Sequence, residues 1–317
     1  MDKVARWAER ERKELFTETA AVIRSTAAIV EKDFWVSWVL KQIYENEVLA
    51  PLFMFKGGTS LSKVYGLINR FSEDIDLVLD WRTLSGESPL EMRSNTARDK
   101  YNKALLLAAE TYTSKVILPA LTSVVAGVCD ADLLEPRAIR LRYPASFSDK
   151  YVLPAIKLEI GPLSAWDPWE EKQISCYAAQ AFPHVFQQTH CNVKVISAKR
   201  TFWDKATILH HEANRPAGST QPRNYSRHYY ELAQPGSFKL LPPMHVMVVV
   251  ENDYHAMRGM FFGEVPALER IMATLQALED EINQFGLSGR DVSNLRHPLT
   301  PYSSSTSLPP PHPPWPH

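Results

Sequence analysis

Hydrophobic and polar residues alternate with two different periods along the chain, and the changes of period predict its elements. Apolar residues at helical spacing predict an amphipathic helix over residues 3 to 24, followed by a helix whose buried side includes Phe34 and Trp38. Strict alternation predicts strands over residues 137 to 143 and 151 to 160, each with one buried and one polar face. The chain is therefore predicted to contain both helices and strands.

The clearest order of elements lies between residues 52 and 79. A short apolar strand is followed by a turn with a glycine pair, then by a helix over residues 60 to 68, and then by a strand that ends in Leu77, Val78 and Leu79. Because side chains alternate along a strand, Asp74 and Asp76 are expected to point to the same side.

Candidate chemistry is concentrated in the same stretch. Gly57, Gly58, Thr59 and Ser60 are small enough for the backbone to approach a phosphate group where a helix starts. Neighbouring carboxylates repel each other unless a cation lies between them, and hard oxygen ligands suit Mg²⁺ or Mn²⁺. The stretch thus predicts a phosphate-binding turn joined to a metal-binding strand.

The sequence GGTSLSKVYGLINRFSEDIDL resembles the AbiEii/AbiGii toxin family, the MenT-like nucleotidyltransferases of bacterial toxin-antitoxin pairs. A glycine pair followed by D-x-D is common by chance, but here the resemblance runs from residue 55 to residue 79 and, more weakly, over residues 30 to 285. It implies an α+β nucleotidyltransferase fold, with a mixed β-sheet core flanked by helices and a helical C-terminal region.

The resemblance also implies a set of site residues. Asp74, Asp76 and Glu159 would bind the metal, because a strand that carries Glu159 next to the D-x-D strand supplies the third carboxylate that the family needs. Lys157 shares the polar face of that strand, and Lys194 or Lys199 could take its place as the second catalytic lysine. The nucleotide-binding residues implied are Gly57, Gly58, Thr59, Ser60, Lys63, Ser72 and Lys205.

Two further segments resemble parts of the family. W-D-K-A-T-I-L matches its last signature, which makes Asp204 and Lys205 catalytic candidates. Without the family resemblance, an acid followed by a lysine in a helix would be interpreted as an exposed ion pair on the helix surface. The E-K-D-F segment recurs in the family ahead of the glycine turn, so Lys32 and Asp33 are candidates to border the nucleotide.

Charge restricts how the chain could bind RNA. The formal net charge is −1 at pH 7, so any RNA contact must come from a local patch rather than from the whole surface. Residues 194 to 227 contain seven Lys and Arg against two Asp and Glu, a pattern that also fits an ordinary solvated face.

Cysteine usage and hydropathy predict a soluble cytoplasmic protein without a membrane partner. The three cysteines have neither metal-ligand spacing nor a pairing pattern, and no apolar run reaches the roughly 20 residues needed to span a bilayer. The first residues are charged and contain no signal-peptide core.

The resemblance and the predicted elements divide the chain into N-terminal helices over residues 1–50, the nucleotidyltransferase core over 51–197 and a helical domain over 198–295. Composition predicts a disordered Pro/Ser-rich tail over 296–317. The stretch after Pro242 is ambiguous. Its valines favour a strand, whereas the preceding proline pair and the family resemblance favour the helix that we predict.

The expected activity is Mg²⁺-dependent transfer of a nucleotide from an NTP to an RNA acceptor, in particular the 3′ end of tRNA, under control of a cognate antitoxin. A nucleotidyltransferase that modifies a protein hydroxyl or a small molecule is the alternative. A catalytically silent nucleotide-binding module is disfavoured, because such a module is expected to lose part of its site. Asp74, Asp76 and the glycine pair are all present.

Overall fold

The computed structural model describes residues 1–68, 74–89, 91–149, 152–164, 166–213, 240–242, 244–256 and 265–287. Its helices are α1 (Asp2–Ala5), α2 (Glu9–Ile23), α3 (Ala27–Glu45), α4 (Gly57–Lys63), α5 (Asn95–Tyr112), α6 (Leu118–Val125), α7 (Tyr177–Ala181), α8 (Ala198–Ala213), α9 (Met247–Ala256) and α10 (Leu268–Leu287). The strands are β1 (Phe53–Lys56), β2 (Ile75–Leu79), β3 (Asp130–Glu135), β4 (Ala138–Arg142), β5 (Ala155–Gly161), β6 (Trp169–Ser175) and β7 (His190–Ile196).

The strands form one mixed sheet with the order β3-β4-β5-β2-β1-β7-β6. At its centre β1 runs antiparallel to β2, while β2 is parallel to β5 and β1 is parallel to β7. The outer pairs β3–β4, β4–β5 and β6–β7 are antiparallel. This confirms the mixed sheet flanked by helices that the sequence predicts.

Helix α3 provides the main packing partner of the sheet. Phe34 and Trp35 have no exposed surface and Trp38 is 2% exposed, and these rings join the apolar side chains of the central strands in one core. Trp35 stacks on Tyr143 with ring centroids 5.5 Å apart. The aromatic face predicted for this helix is therefore core, and it fixes the sheet from one side.

Charged residues at the start of α3 are also buried, where they hold the segment that leads into β5. The Lys32 ammonium donates to the carbonyl oxygens of Leu153 (2.8 Å) and Ala155 (2.5 Å). The Glu31 carboxylate accepts from the main-chain N–H groups of Ser146 (2.8 Å) and Phe147. Burial raises the pKa of Glu31, and these two N–H donors act against that rise.

The sequence prediction locates most central elements and misses the outer ones. Helix α8 has the predicted bounds, the helix after Pro242 is confirmed as α9, and the predicted strands appear as β4 and β5. Strands β3 and β6 and the short helix α7 were not predicted. Both missed strands lie at sheet edges, where charged residues replace the apolar alternation that marks a buried strand.

One helical stretch in the described part of the chain, Asn95–Val125, is long and apolar enough to cross a membrane by length and composition. A π-helical turn, Thr113–Ile117, separates α5 from α6 within it. The apolar residues Leu105, Ala109, Leu121 and Val125 are buried, each with 2% exposure or less. Packing against the protein thus accounts for part of this apolar character.

The end of α2 offers a test of backbone strain. Arg24, exposed at the C-cap, has φ +54° in the left-handed region. Glycine at this position would remove about 1–2 kcal/mol of backbone strain. This gain is larger than the entropy cost of ordering a glycine on folding, about 0.5–1 kcal/mol. We expect Arg24→Gly to raise the free energy of unfolding by about 0.5–1 kcal/mol, measured by urea denaturation. Glu18→Gly, at an exposed position inside α2, should lower it by about 1 kcal/mol. Destabilisation by Arg24→Gly would contradict the strain argument.

Candidate active site

The glycine turn lies in direct contact with strand β2. Strand β1 ends at Lys56 and α4 begins at Gly57, whose φ of +84° lies in the left-handed region. A Cβ atom on Gly57 would lie 1.8 Å from Oδ2 of Asp76. Only glycine fits this position, both for its backbone angle and because the Asp76 carboxylate occupies the space of a side chain.

The sheet register places three charged residues in one row. Lys56 pairs with Asp76 between β1 and β2, and Asp76 pairs with Glu159 between β2 and β5. Residues paired in register on neighbouring strands project from the same face of the sheet. The row Lys56–Asp76–Glu159 therefore runs across the sheet beside the glycine turn.

Asp74 precedes β2 by one residue, so the D-x-D motif begins just outside the strand. The carbonyl oxygen of Asp74 accepts a hydrogen bond from the Thr59 hydroxyl, and the Ser60 hydroxyl donates to the carbonyl oxygen of Gly57 at 2.9 Å. Thr59 and Ser60 are 2% and 0% exposed. Their hydroxyls thus hold the turn in shape and tie it to the D-x-D motif.

Lys157 and Glu159 lie two residues apart on the polar face of β5 and form an ion pair. Lys157 Nζ is 2.7 Å from Glu159 Oε1 and 3.4 Å from Glu135 Oε1. Burial lowers the pKa of Lys157, but the hydrogen bond and attraction of Glu159 outweigh it, so the pKa is raised overall. Lys157 consequently remains a cation at neutral pH.

The carboxylates fit a hard divalent cation by donor type. Asp76 and Glu159 offer oxygen ligands in adjacent register, and Asp74 stands at the start of the same strand. Among the residues that the structure describes, no group of three or more His, Cys, Asp or Glu side chains is arranged to hold an ion. Glu159 instead contacts Lys157, so its role as third ligand stays a prediction.

Helix α8 carries the predicted acid and lysine pair and contacts α4, the helix whose first turn contains the glycine pair. Asp204 Oδ1 lies 3.1 Å from Nε of Arg200, one turn earlier, and Lys205 is 9% exposed. Phe202 of the same helix packs in a small apolar cluster with residues of α9 and α10. Helix α8 therefore connects the sheet domain to the C-terminal helices.

Other predicted lysines have different surroundings. Lys63 Nζ lies 2.5 Å from Asp33 Oδ1 and donates to the carbonyl oxygen of Ser175 at 3.2 Å. Lys194 Nζ lies 5.9 Å from the ring centroid of Trp169 on the edge strand β6. Lys199 is in the first turn of α8. A direct nucleotide contact of Lys63 stays a prediction.

Three predicted features fall wholly or partly outside the described ranges. Ser72 belongs to residues 69–73, which the structure does not describe. The basic segment over residues 194 to 227 is described only as far as residue 213, so its C-terminal arginines are not placed. The predicted tail over 296–317 is likewise not described.

Lys56 is a candidate that the sequence prediction did not include. It lies next to Asp76 in the row, directly before Gly57, and its ammonium donates to the hydroxyl of Ser164. Its position at the end of a short apolar strand, immediately before the glycine pair, was the available sequence signal. A cation at this point borders both the turn and the carboxylates.

A scan of protein families matches residues 38–284 to the family described as "Nucleotidyl transferase AbiEii toxin, Type IV TA system". No curated protein sequence matches the chain. Among solved structures, it is similar to MenT4, a nucleotidyltransferase toxin from Mycobacterium tuberculosis H37Rv, with 15% sequence identity and a TM-score of 0.36. That comparison covers 88% of this chain and 99% of MenT4. The match over most of its length shows that the chain belongs to the AbiEii family of nucleotidyltransferase toxins from type IV toxin-antitoxin systems.

Proposed function

We propose that this nucleotidyltransferase transfers a nucleotide from an NTP to the 3′ end of an RNA, with tRNA as the acceptor, and that a cognate antitoxin restrains it. The observation that supports this most is the contact between the glycine turn and the carboxylate row, where Gly57 lies against Asp76. A triphosphate bound by the turn would place its α-phosphorus beside the carboxylate row. There the 3′-hydroxyl of the RNA would form the new P–O bond, its proton would pass to water, and pyrophosphate would leave. The site would operate in the cytoplasm, where NTPs and tRNA are present.

In this proposal, the turn binds the triphosphate through main-chain N–H groups. Gly57 and Gly58 have no side chain to keep a phosphate away, while the buried hydroxyls of Thr59 and Ser60 keep the turn in shape. Lys56, at the end of β1, places a positive charge next to the same turn. Charge neutralisation and positioning are the main requirements of phosphoryl chemistry, because the protein need not form a covalent bond.

Asp74, Asp76 and Glu159 would hold the divalent cation, Mg²⁺ or Mn²⁺. Such an ion supplies Lewis-acid stabilisation of phosphate charge and lowers the pKa of a bound hydroxyl. Glu159 forms an ion pair with Lys157 and is the register partner of Asp76. In this proposal Glu159 turns towards Asp76 to bind the cation, which releases Lys157 to contact the phosphates. Lys205 would neutralise the triphosphate from α8, with Asp204 holding its orientation.

The proposal that RNA is the acceptor is supported by the family and by the basic residues from Lys194 onwards. Of these, the structure describes Lys194, Lys199, Arg200 and Lys205. Three of them lie in the first half of α8, the helix that contacts α4. An RNA bound along α8 would approach the glycine turn from that side. Transfer to a protein hydroxyl or to a small molecule is the competing outcome.

The activity is tested by incubating the protein with Mg²⁺, total tRNA and each α-labelled NTP in turn, and then separating RNA, protein and small molecules. We expect label in the RNA fraction with the wild type and none with Asp74→Ala. Equal labelling by both proteins would contradict the proposed site. Label in a protein band or in a small-molecule adduct would show that a protein or a small molecule, and not RNA, is the acceptor. Co-expression with a cognate antitoxin should suppress labelling in cells.

Removal of the Lys56 charge should weaken nucleotide binding. A charge-assisted hydrogen bond contributes about 1.5–3 kcal/mol, so we expect Lys56→Ala to raise the dissociation constant for the preferred NTP about tenfold or more. The measurement is isothermal titration in the presence of Mg²⁺. Lys103→Ala removes an exposed lysine of α5 and should leave the affinity unchanged. Equal affinities for Lys56→Ala and wild type would exclude Lys56 from the site.

A further inference from the structure

An ion pair is buried between α3 and α4, away from the carboxylate row. The side chains of Lys63 and Asp33 are only 6% and 5% exposed, with Nζ 2.5 Å from Oδ1. The second carboxylate oxygen of Asp33 accepts from the main-chain N–H of Tyr177 at 2.7 Å. Lys63 also donates to the carbonyl oxygen of Ser175. Three segments thus meet at this pair: α3, α4 and the junction between β6 and α7.

Tyr177 completes the enclosure of the pair. Its ring centroid lies 5.4 Å from Lys63 Nζ, within the range of a cation–π contact. Burial raises the pKa of the Asp33 carboxyl, against the attraction of Lys63 and its hydrogen bonds. The attraction between the two charges and their hydrogen bonds offset part of the cost of burial, and Asp33 Oδ1, Asp33 Oδ2 and Lys63 Nζ each have a partner.

The pair lies at the opposite end of α4 from the glycine turn. This helix has seven residues, from Gly57 to Lys63. Its start is tied to β2 by the close contact between Gly57 and Asp76 and by the bond from Thr59 to Asp74. Its end is tied to α3 by Lys63. A helix of two turns has little stability of its own, so these external ties determine its position.

Stability alone is a weak reason to keep such a pair. Removing two charges from water is costly, and replacement of a buried ion pair by apolar residues of similar volume is often neutral or stabilising. An apolar contact between α3 and α4 would permit sliding and rotation, whereas a hydrogen-bonded pair with defined directions does not. What the pair adds over apolar packing is a fixed register of α4 against α3.

We propose that the Asp33–Lys63 ion pair positions the nucleotide-binding turn, by holding the end of α4 so that Gly57 and Gly58 keep their place against Asp76. This inference rests on the proposed function in one respect, because the turn is taken to bind the triphosphate. Asp33 and Lys63 are positioning residues: they act through α4 and do not contact the nucleotide.

The test uses the full chain with the double substitution Asp33→Leu/Lys63→Met, which replaces the pair by apolar residues. Asp33→Asn is the second variant, for use if the double variant does not fold. Asparagine keeps the shape of the side chain and can still accept the hydrogen bond from the main-chain N–H of Tyr177. Arg10→Met/Glu14→Leu is the matched control, since it makes comparable changes in an exposed ion pair of α2. Each protein is examined by thermal unfolding, by amide hydrogen exchange over residues 57–63, and by titration with ATP, CTP, GTP and UTP in the presence of Mg²⁺.

We expect the double variant to unfold close to the wild-type temperature, with amide exchange in α4 accelerated about tenfold. Affinity for the NTP that the wild type binds should fall about 10- to 100-fold, as expected when binding groups are displaced. Asp33→Asn should change exchange and affinity in the same direction. The control pair should change neither.

Three outcomes would overturn the inference or its basis. Unchanged exchange in α4 in both variants would show that the pair does not position the helix. Weaker NTP binding by the double variant without faster exchange would instead assign Lys63 a direct nucleotide contact. If the wild type binds none of the four nucleotides, the proposed function fails, while the exchange data still decide whether the pair holds α4.

Discussion

Asp76→Asn is expected to reduce the rate of nucleotide transfer by about 10²- to 10³-fold, the loss seen when one charge-stabilising group is removed from an active site. Asp76 is the centre of the row, with Lys56 and Glu159 as its register partners and Gly57 in direct contact. Asparagine keeps the size of the side chain and removes its negative charge. The measurement is the initial rate of label transfer from the preferred α-labelled NTP at saturating Mg²⁺.

Asp80→Asn is the matched control, because it makes the same change just beyond the other end of β2. Asp80 accepts from the main-chain N–H of Arg82 at 3.0 Å, a role that asparagine can also fill. We expect wild-type rates for this variant. Rates within a factor of about two of the wild type for Asp76→Asn would show that the carboxylate row is not the reaction centre.

Gly57→Ala is expected to reduce both stability and activity. The added Cβ would lie 1.8 Å from Asp76 Oδ2, and φ of +84° is strained for any residue with a side chain. Strain and overpacking together should lower the free energy of unfolding by about 2–4 kcal/mol. Because the displaced atoms belong to Asp76, nucleotide transfer should be lost even at temperatures where the variant is folded. Urea denaturation and the labelling assay measure the two effects separately.

Gly66→Ala separates the backbone effect from the steric one. Gly66 also has a positive φ, +60°, but apart from its chain neighbours no atom of the described residues lies within 4 Å of the position of its Cβ. We expect it to lose about 1 kcal/mol of stability from backbone strain alone and to keep its transfer rate. If Gly57→Ala and Gly66→Ala changed stability and transfer rate equally, the close contact between the turn and Asp76 would not contribute to activity.

The sequence predicted the central elements well because their patterns are locally encoded. Helix α3 has its aromatic residues at helical spacing, and β4 and β5 have clean alternation. The edge strands β3 and β6 were missed, because they pair on one side only and much of their surface is exposed. Their existence depends on the neighbouring strands β4 and β7, which a reading of local pattern does not include.

The predicted site residues stay predictions, and the prediction did not include all of their neighbours in the fold. The glycine pair and D-x-D motif are recognisable because tight turns and metal strands demand particular residue types at particular spacing. Lys56 was missed, since a single lysine has no motif and becomes significant only beside Asp76. Lys63 was predicted to bind the nucleotide, which stays a prediction. Its ammonium contacts Asp33, thirty residues earlier in the chain. No local pattern predicts such a contact.

The sequence by itself determined the family, the order of strand, turn, helix and strand, and the residue types that the site requires. Only the tertiary structure decided which residues stand next to each other: Glu159 beside Asp76 through the parallel β2–β5 register, the Gly57 backbone against the Asp76 carboxylate, and Asp33 under the end of α4. The physical reason is that spacing and side-chain chemistry are properties of a local segment. Register, close approach and buried charge pairing depend on segments far apart in the chain, which meet only when the whole core packs.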